Sequence, residues 1–424
     1  MFQQVINVFK IGDLRKKIFF VFALLVVFRV AAAIPVPGID ASRLRSFFEG
    51  NQFFGLLNVF SGGALDNLSI VMLGVGPYIT ALIIMQLMTM VFPKLKELYQ
   101  GQGEQGRQKF NQYTRLLTIP LAGLQGYGLL ALLQNQGVVD RLGWFDLAGN
   151  LVVVTAGTVF LMWLGELISE KKIGNGISLL IFAGIIASIP TQVRQFYLNF
   201  DPSMIPTVIV FLAVAAVVVA GVVFISDSQR NIPVSYAKRV RGSRVYGGTS
   251  TYLPLKVNQA GVIPIIFAIS ILIFPEMLGN FMQLSGAAWL QNVGRSLATF
   301  FQTGGFVYGA LYFLLVVVFT YFYTAVTFDT KQIAENVQKQ GGFVPGIRPG
   351  NPTSEFLNRV LNRITLAGAT SLGLIAVLPF IVQYFTQTAT LTIGGTALLI
   401  VVSVVLDTIK QIKAQLAMHE YERF

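Results

Sequence analysis

Ten apolar segments constrain this chain more than any other feature. They are Ile18–Ile34, Gly74–Phe92, Leu116–Leu133, Leu151–Ile168 and Ile177–Ile189, then Ile205–Ile225, Val257–Phe274, Phe306–Val326, Ile364–Phe385 and Leu391–Leu406. A membrane-spanning helix needs roughly 20 apolar residues, within a range of about 17–25. Several segments, the fifth above all, are shorter than an ideal span. The basic residues test the count. Cytoplasmic loops carry an excess of Lys and Arg. With ten spans and both termini inside, all but six of the 31 basic residues fall in cytoplasmic segments. Arg43, Arg45, Arg141, Arg194 and Arg295 lie in outer segments, and Arg29 lies within the first span. One span more or fewer would scramble this segregation. Composition agrees: 54% of the residues are hydrophobic and 12% are charged, against roughly 25% charged in soluble domains. The expected fold is an all-α polytopic membrane protein.

The first segment could be mistaken for a secretory signal. Arg15-Lys16-Lys17, the apolar run Ile18–Phe28 and Ala31-Ala32-Ala33 follow that pattern. Arg29 interrupts it, and Ile34-Pro35-Val36-Pro37-Gly38 follows, so the segment reads as a retained span, with the signal peptide as the alternative. The chain has no cysteine, one histidine (His419) and no phosphate-binding GxxxxGK[ST] loop. Thiol chemistry, imidazole catalysis and a nucleotide site of its own are therefore not expected, and neither is a cofactor.

The two halves echo each other. The second span opens Gly74-Val75-Gly76-Pro77, and the seventh contains Gly261-Val262-Ile263-Pro264. Gly176–Ile181 in the fifth resembles Gly395–Ile400 in the tenth. Five spans per half make matching spans cross in opposite directions, the pattern of an inverted repeat. The division expected is 1–190, an outer hinge 191–204, and 205–424. Coincidence among small-residue membrane helices is the competing explanation.

Charge inside the spans is scarce. Arg29 lies near the outer end of the first span, where it can snorkel. Glu166 lies near the cytoplasmic end of the fourth, and Asp407 at the end of the tenth. The lack of a midplane carboxylate pair weighs against an ion-coupled transporter and an intramembrane hydrolase. Two long cytoplasmic loops are basic. The first, Asp227–Lys256, carries Lys238, Arg239, Arg241 and Arg244 interleaved with tyrosines. That suits a phosphate surface or an acidic partner, or the loop serves only to fix topology. The second, Thr327–Arg363, frames Arg348 within Gly341–Gly350 on a stiff Gly/Pro turn. Outside, Phe60–Ser69 is too polar to span yet leads straight into the second span. It is either re-entrant and buried in protein or an ordinary outer loop.

Phe28-Arg29 with Ile34–Gly38, Phe60–Leu65, Trp163–Ala187, Leu255–Pro264 and Gly341–Gly350, in this order, resemble the SecY family, the channel-forming subunits of the bacterial Sec translocon. The resemblance covers essentially the whole chain. It implies a clamshell of two five-helix halves around a pore in the bacterial cytoplasmic membrane, conducting unfolded polypeptides and releasing transmembrane segments into lipid. By motif matching, a pore ring falls on Val75, Ile79, Ile177, Ile181, Ile266 and Ile400, which otherwise would be plain packing residues. Ser61, Gly62, Gly63, Ala64, Leu65, Asp66 and Asn67 would form the plug. Gln86, Gln125 and Asn258 would form a polar lateral-gate cluster between the second and seventh spans. Lys238, Arg239, Arg241, Arg244 and Arg348 would meet the ribosome or the SecA motor. The small membrane subunits SecE and SecG, signal sequences and nascent chains are the further partners implied. Ser243, Lys171-Lys172 and Asp329-Thr330 depart from the family pattern. A secondary transporter of inverted repeats, or a membrane scaffold, is the alternative function.

Overall fold

The computed structural model describes residues 11–36, 58, 61–65, 67–101, 103–135, 137, 139, 143–198, 201–202, 205–236, 239–241, 244–246, 250–283, 287–301, 306–386 and 390–421. A long helix stands on each of the ten apolar segments. These are α1 (Gly12–Ala33), α2 (Gly76–Val91), α3 (Gly103–Asn135), α4 (Trp144–Glu170), α5 (Gly176–Leu198), α6 (Ile205–Asp227), α7 (Ile263–Met282), α8 (Phe306–Thr327), α9 (Asn351–Thr386) and α10 (Thr390–Tyr421).

Their packing repeats. In the first half α1 touches α4 and α5, α2 touches α3, α3 touches α4, and α4 touches α5. In the second half α6 touches α9 and α10, α7 touches α8, α8 touches α9, and α9 touches α10. Each of these contacts has its counterpart five helices on. The halves meet where equivalent helices face each other, α2 against α7 and α5 against α10, with α3 also reaching α7. The Gly/Pro openings repeat in geometry too. Gly74 (φ 58°) precedes a helix that starts at Gly76 with Pro77 second, and Gly261 (φ 64°) precedes one that starts at Ile263 with Pro264 second. Glycine reaches positive φ without steric cost, and proline in a first turn lacks only an N–H that would be unpaired anyway.

Several boundaries differ from expectation. The seventh span begins at Ile263 rather than Val257, because the chain is still extended through Lys256 and turns at Gly261. α7 also runs past Phe274 to Met282, which brings Glu276 to a buried position at its far end. α5 continues through Pro190 to Leu198, so part of the expected hinge is helical, and α6 begins at Ile205. Proline is tolerated inside membrane helices because neighbours and local adjustment satisfy the freed carbonyl. α2 ends at Val91 and turns by 114° into Pro93–Tyr99. Phe92 is extended there, as a residue before proline prefers.

The turn between α4 and α5 explains the Gly174-Asn175-Gly176 run. Asn175 caps α5, its Oδ1 accepting from Ser178 N at 3.1 Å. Gly176 N donates to Ser169 Oγ at 2.9 Å, and a Cβ on Gly176 would lie 1.8 Å from Gly165 O. No side chain fits at that position. Lys172, at the head of the turn, adopts a left-handed φ of 57°.

The two basic loops form one module. Strand β1 (Gln229–Tyr236) follows α6, β2 (Arg239–Arg241) and β3 (Arg244–Tyr246) make a hairpin, β4 (Ser250–Lys256) leads to α7, and β5 (Gly342–Phe343) lies in the second loop. β1 pairs antiparallel with β4, Ile232 opposite Leu253, and with β5, Ser235 opposite Phe343. Ile232, Leu255, Val344, Leu357 and Val360 form a small core beneath the sheet. A helix, Thr330–Lys339, stands beside it, capped by Asp329, whose Oδ1 accepts from Lys331 N and Gln332 N. The Asp329 carboxylate thus supplies the helix cap.

Candidate functional site

The site lies where the halves meet. Of the six ring candidates, Val75, Ile79, Ile181, Ile266 and Ile400 are buried, at 2%, 2%, 1%, 4% and 0% exposure, in one continuous apolar cluster. Ile177 is half-buried and packs against that cluster. Val75 is the residue before α2 and Ile79 sits one turn into it. Ile177 and Ile181 stand one turn apart on α5, Ile266 is on α7 and Ile400 on α10. Five of them therefore lie on, and Val75 directly precedes, helices among those through which the halves touch, α2, α5, α7 and α10.

The segment 61–69 is packed inside the protein. Ser61, Ala64, Leu65, Leu68 and Ser69 are all at or below 2% exposure. Gly62 and Gly63 have φ of 72° and 78°. Ser61 Oγ donates to Asn58 O at 3.0 Å and accepts from Leu65 N at 3.2 Å, which closes a compact turn. Ala64 joins the cluster that holds the ring candidates, while Leu65, Leu68 and Met72 pack on Leu129, Leu130 and Leu133 of α3. Asn67 is half-buried, and Asp66 lies outside the described residues. This burial fits a re-entrant segment, which needs protein around its backbone, better than an exposed outer loop.

The three gate candidates do not form one cluster. Gln125 Nε2 donates to Thr80 Oγ1 at 3.5 Å, joining α3 to α2. The two line a cavity of ≈ 70 Å³ with Leu65, Gly76, Ser270 and Phe274, at the seam of α2, α3 and α7. Gln86 is buried six residues farther along α2, about 9 Å by helical rise, and its Oε1 has no hydrogen-bond partner. Asn258 precedes α7. Its Nδ2 donates to Gly261 O at 3.1 Å, and it lines a separate polar cavity of ≈ 280 Å³ with Asn175, Lys256 and Asp407. No hydrogen bond joins the three. Thr80, which accepts from Gln125, and Ser270, which lines the same cavity, are the polar residues that sequence reasoning missed. Thr80 lies one turn after Gly76, and that spacing was the available signal.

Charged groups are also accounted for. Arg115 Nε donates to Glu166 Oε1 at 2.7 Å, pairing α3 with α4. Arg29 Nη1 donates to Gly62 O at 2.8 Å, so the residue read as snorkelling turns toward the buried segment. On the basic module Arg348 is exposed at a turn held by Ile347 N donating to Val344 O at 3.0 Å and Thr353 Oγ1 donating to Arg348 O at 2.8 Å. Arg241 pairs opposite Arg244 at the hairpin end, with Arg239 opposite Tyr246. Lys238 lies outside the described residues.

A family model described as SecY matches residues 69–409. The protein translocase subunit SecY of Corynebacterium glutamicum is 46% identical over 442 residues, covering 99% of this chain and 98% of that one. Those of Streptomyces coelicolor and Mycobacterium tuberculosis are 45% and 44% identical, each covering at least 97% of both chains. Among solved structures, a SecY described as having a plug domain that stabilises the closed channel aligns with a TM-score of 0.67 at 21% identity, over 92% of this chain and 90% of that one. A protein-conducting channel aligns at 0.64 and 18%, over 94% and 91%. Sec61 in a canine ribosome-channel complex aligns equally well. The fold is thus the ten-helix clamshell of those channels, and the chain belongs to the SecY family.

Proposed function

We propose that this chain is the pore-forming subunit of a protein-conducting channel in the bacterial cytoplasmic membrane, with both termini cytoplasmic. One observation carries the reading. The seam between two inverted halves is lined by aliphatic side chains from four helices, with a buried non-helical segment packed beside it. Aliphatic constrictions give ions no ligands, gate by dewetting, and yield around any chain that passes. Val75, Ile79, Ile177, Ile181, Ile266 and Ile400 act as the ring, and residues 61–67 as the plug. The α2–α7 seam, beside which Gln125 of α3 meets Thr80 of α2, is the lateral gate through which signal sequences and transmembrane segments reach lipid. A transporter would need ion-ligating groups at the same seam, where the aliphatic ring stands instead.

Energy comes from a partner, SecA or the ribosome, and SecE and SecG complete the membrane assembly. The relatives' description as translocase subunits and the ribosome-bound structural neighbour support this. The shared module supports it physically, because β5 of the second basic loop pairs with β1 of the first, which joins the two loops in one three-stranded sheet. Vesicles carrying the assembled complex and SecA are expected to draw in a secretory polypeptide until it resists protease. Arg348→Glu should lower that uptake severalfold, more strongly at low salt, as an exposed docking charge would. Uptake of a small solute with no polypeptide protected would favour the transporter instead.

A further inference from the structure

The buried segment is tied to α1 in two ways. Its far end is held by backbone: Val36 N donates to Leu68 O at 2.8 Å, Ile70 N donates to Ile34 O at 2.9 Å, and Pro35 bridges Ser69. Its near end is held by a side chain, Arg29 Nη1 donating to Gly62 O at 2.8 Å. The same nitrogen would stand 3.5 Å from a Cβ on Gly63. Contact at this end is otherwise steric. A Cβ on Gly184 of α5 would lie 2.0 Å from Gly62 Cα, and a Cβ on Gly62 would lie 2.5 Å from Phe28 Cζ. Bare backbone therefore packs on bare backbone, with the Phe28 ring against it.

The chemistry of the near end is reciprocal. A guanidinium in an apolar helix is costly unless it is paired. A carbonyl away from water needs a donor. Arg29 and Gly62 meet both needs in each other while the segment is seated. We infer that Arg29 is a latch for the plug: its bond to the Gly62 carbonyl holds the near end closed, while the backbone ladder at 34–36 and 68–70 is the hinge about which the segment swings. The inference rests on the channel reading above. Six residues separate Gly62 from Leu68, enough for the tip to travel about 20 Å when extended. Arg29 is a positioning residue here. It sets the balance between seated and displaced plug and touches no ring residue.

The chain has no cysteine, so Ala64→Cys places a single thiol at a site of 0% exposure. The assembled complex carrying it, in vesicles, is treated with a membrane-impermeant thiol reagent, and resting ion conductance is recorded alongside. Adding Arg29→Ala is expected to raise the labelling rate and the resting conductance about tenfold, the ratio that a charge-assisted bond of about 1.4 kcal/mol sustains. Arg29→Lys, which keeps the charge and loses the planar fork, should fall between. Gly184→Ala, which expels Gly62 while leaving Arg29, should act in the same direction. Labelling of Arg29→Ala at the parental rate in an assembled complex overturns the latch. Should that variant fail to assemble, parental labelling in Arg29→Lys overturns it equally. A stalled secretory chain must open a conductance in the parental complex. Failure of that control counts against the channel reading, independently of the latch.

Discussion

Gly176→Ala is expected to cost this protein at least about 3 kcal/mol, at or beyond the upper end of ordinary overpacking. The reason is geometric. A Cβ at Gly176 would stand 1.8 Å from Gly165 O and 2.9 Å from Ser169 Oγ. The first of these is helical backbone of α4, five residues before its end, and cannot swing aside as a side chain could. Relief requires α5 to move off α4, which breaks the Gly176 N bond to Ser169 Oγ and shifts Ile177 and Ile181 with it. Gly123→Ala is the control, since a Cβ at Gly123 meets nothing within 4 Å. Helical alanine is favoured over glycine there by up to about 1 kcal/mol. Unfolding midpoints of the purified chain in detergent separate the two. Equal midpoints would mean that the α4–α5 turn is looser than its geometry states.

Serine at both Ile79 and Ile400 should leave polypeptide passage intact and destroy the seal around it. With the plug displaced by a stalled chain, the ring is the remaining barrier to ions. Aliphatic side chains exclude water from the gaps, whereas hydroxyls hold it and let ions follow. Conductance of the occupied channel should rise by about tenfold or more once the dewetted gap is lost. Large-to-small changes at buried sites also cost about 2–5 kcal/mol each, so the unfolding midpoint is followed in parallel. Ile79→Val with Ile400→Val keeps the surface aliphatic and should keep the seal. An occupied serine channel as tight as the valine one would remove the ring from the account.

The sequence showed the ten spans because each is a continuous apolar run, and the basic residues fixed their alternation. It showed the inverted repeat through Gly74–Pro77 and Gly261–Pro264, where glycine and proline do the same geometric task twice. It did not show how far helices run beyond the hydrocarbon. α3 begins at Gly103, α9 at Asn351, and α10 ends at Tyr421, all in polar sequence that hydropathy cannot distinguish from loop. The two basic loops were legible one by one. Their union through β1 and β5 was not, because strand pairing across more than 100 residues leaves no local trace. At the site, the aliphatic ring candidates came through motif resemblance, since an isoleucine that lines a pore looks like one that packs a core. The placement of the three gate candidates was hidden for a related reason. Gln86, Gln125 and Asn258 are all side-chain amides, and their sequence spacing does not reveal that Asn258 donates to Gly261 O while Gln125 meets Thr80. Arg29 was visible as an intramembrane charge, but its partner is a backbone carbonyl, which has no signature in sequence.

The central claim is that a polypeptide passes through the seam between the halves. Photo-crosslinkers at Ile79 and Ile400, one from each half, test it in reconstituted membranes holding a stalled secretory chain, with Arg43 in an outer segment as control. The account predicts adducts to the stalled chain from both seam positions and none from the control. Docking of the stalled complex without adducts at either position would show that these side chains are ordinary packing and that the path lies elsewhere.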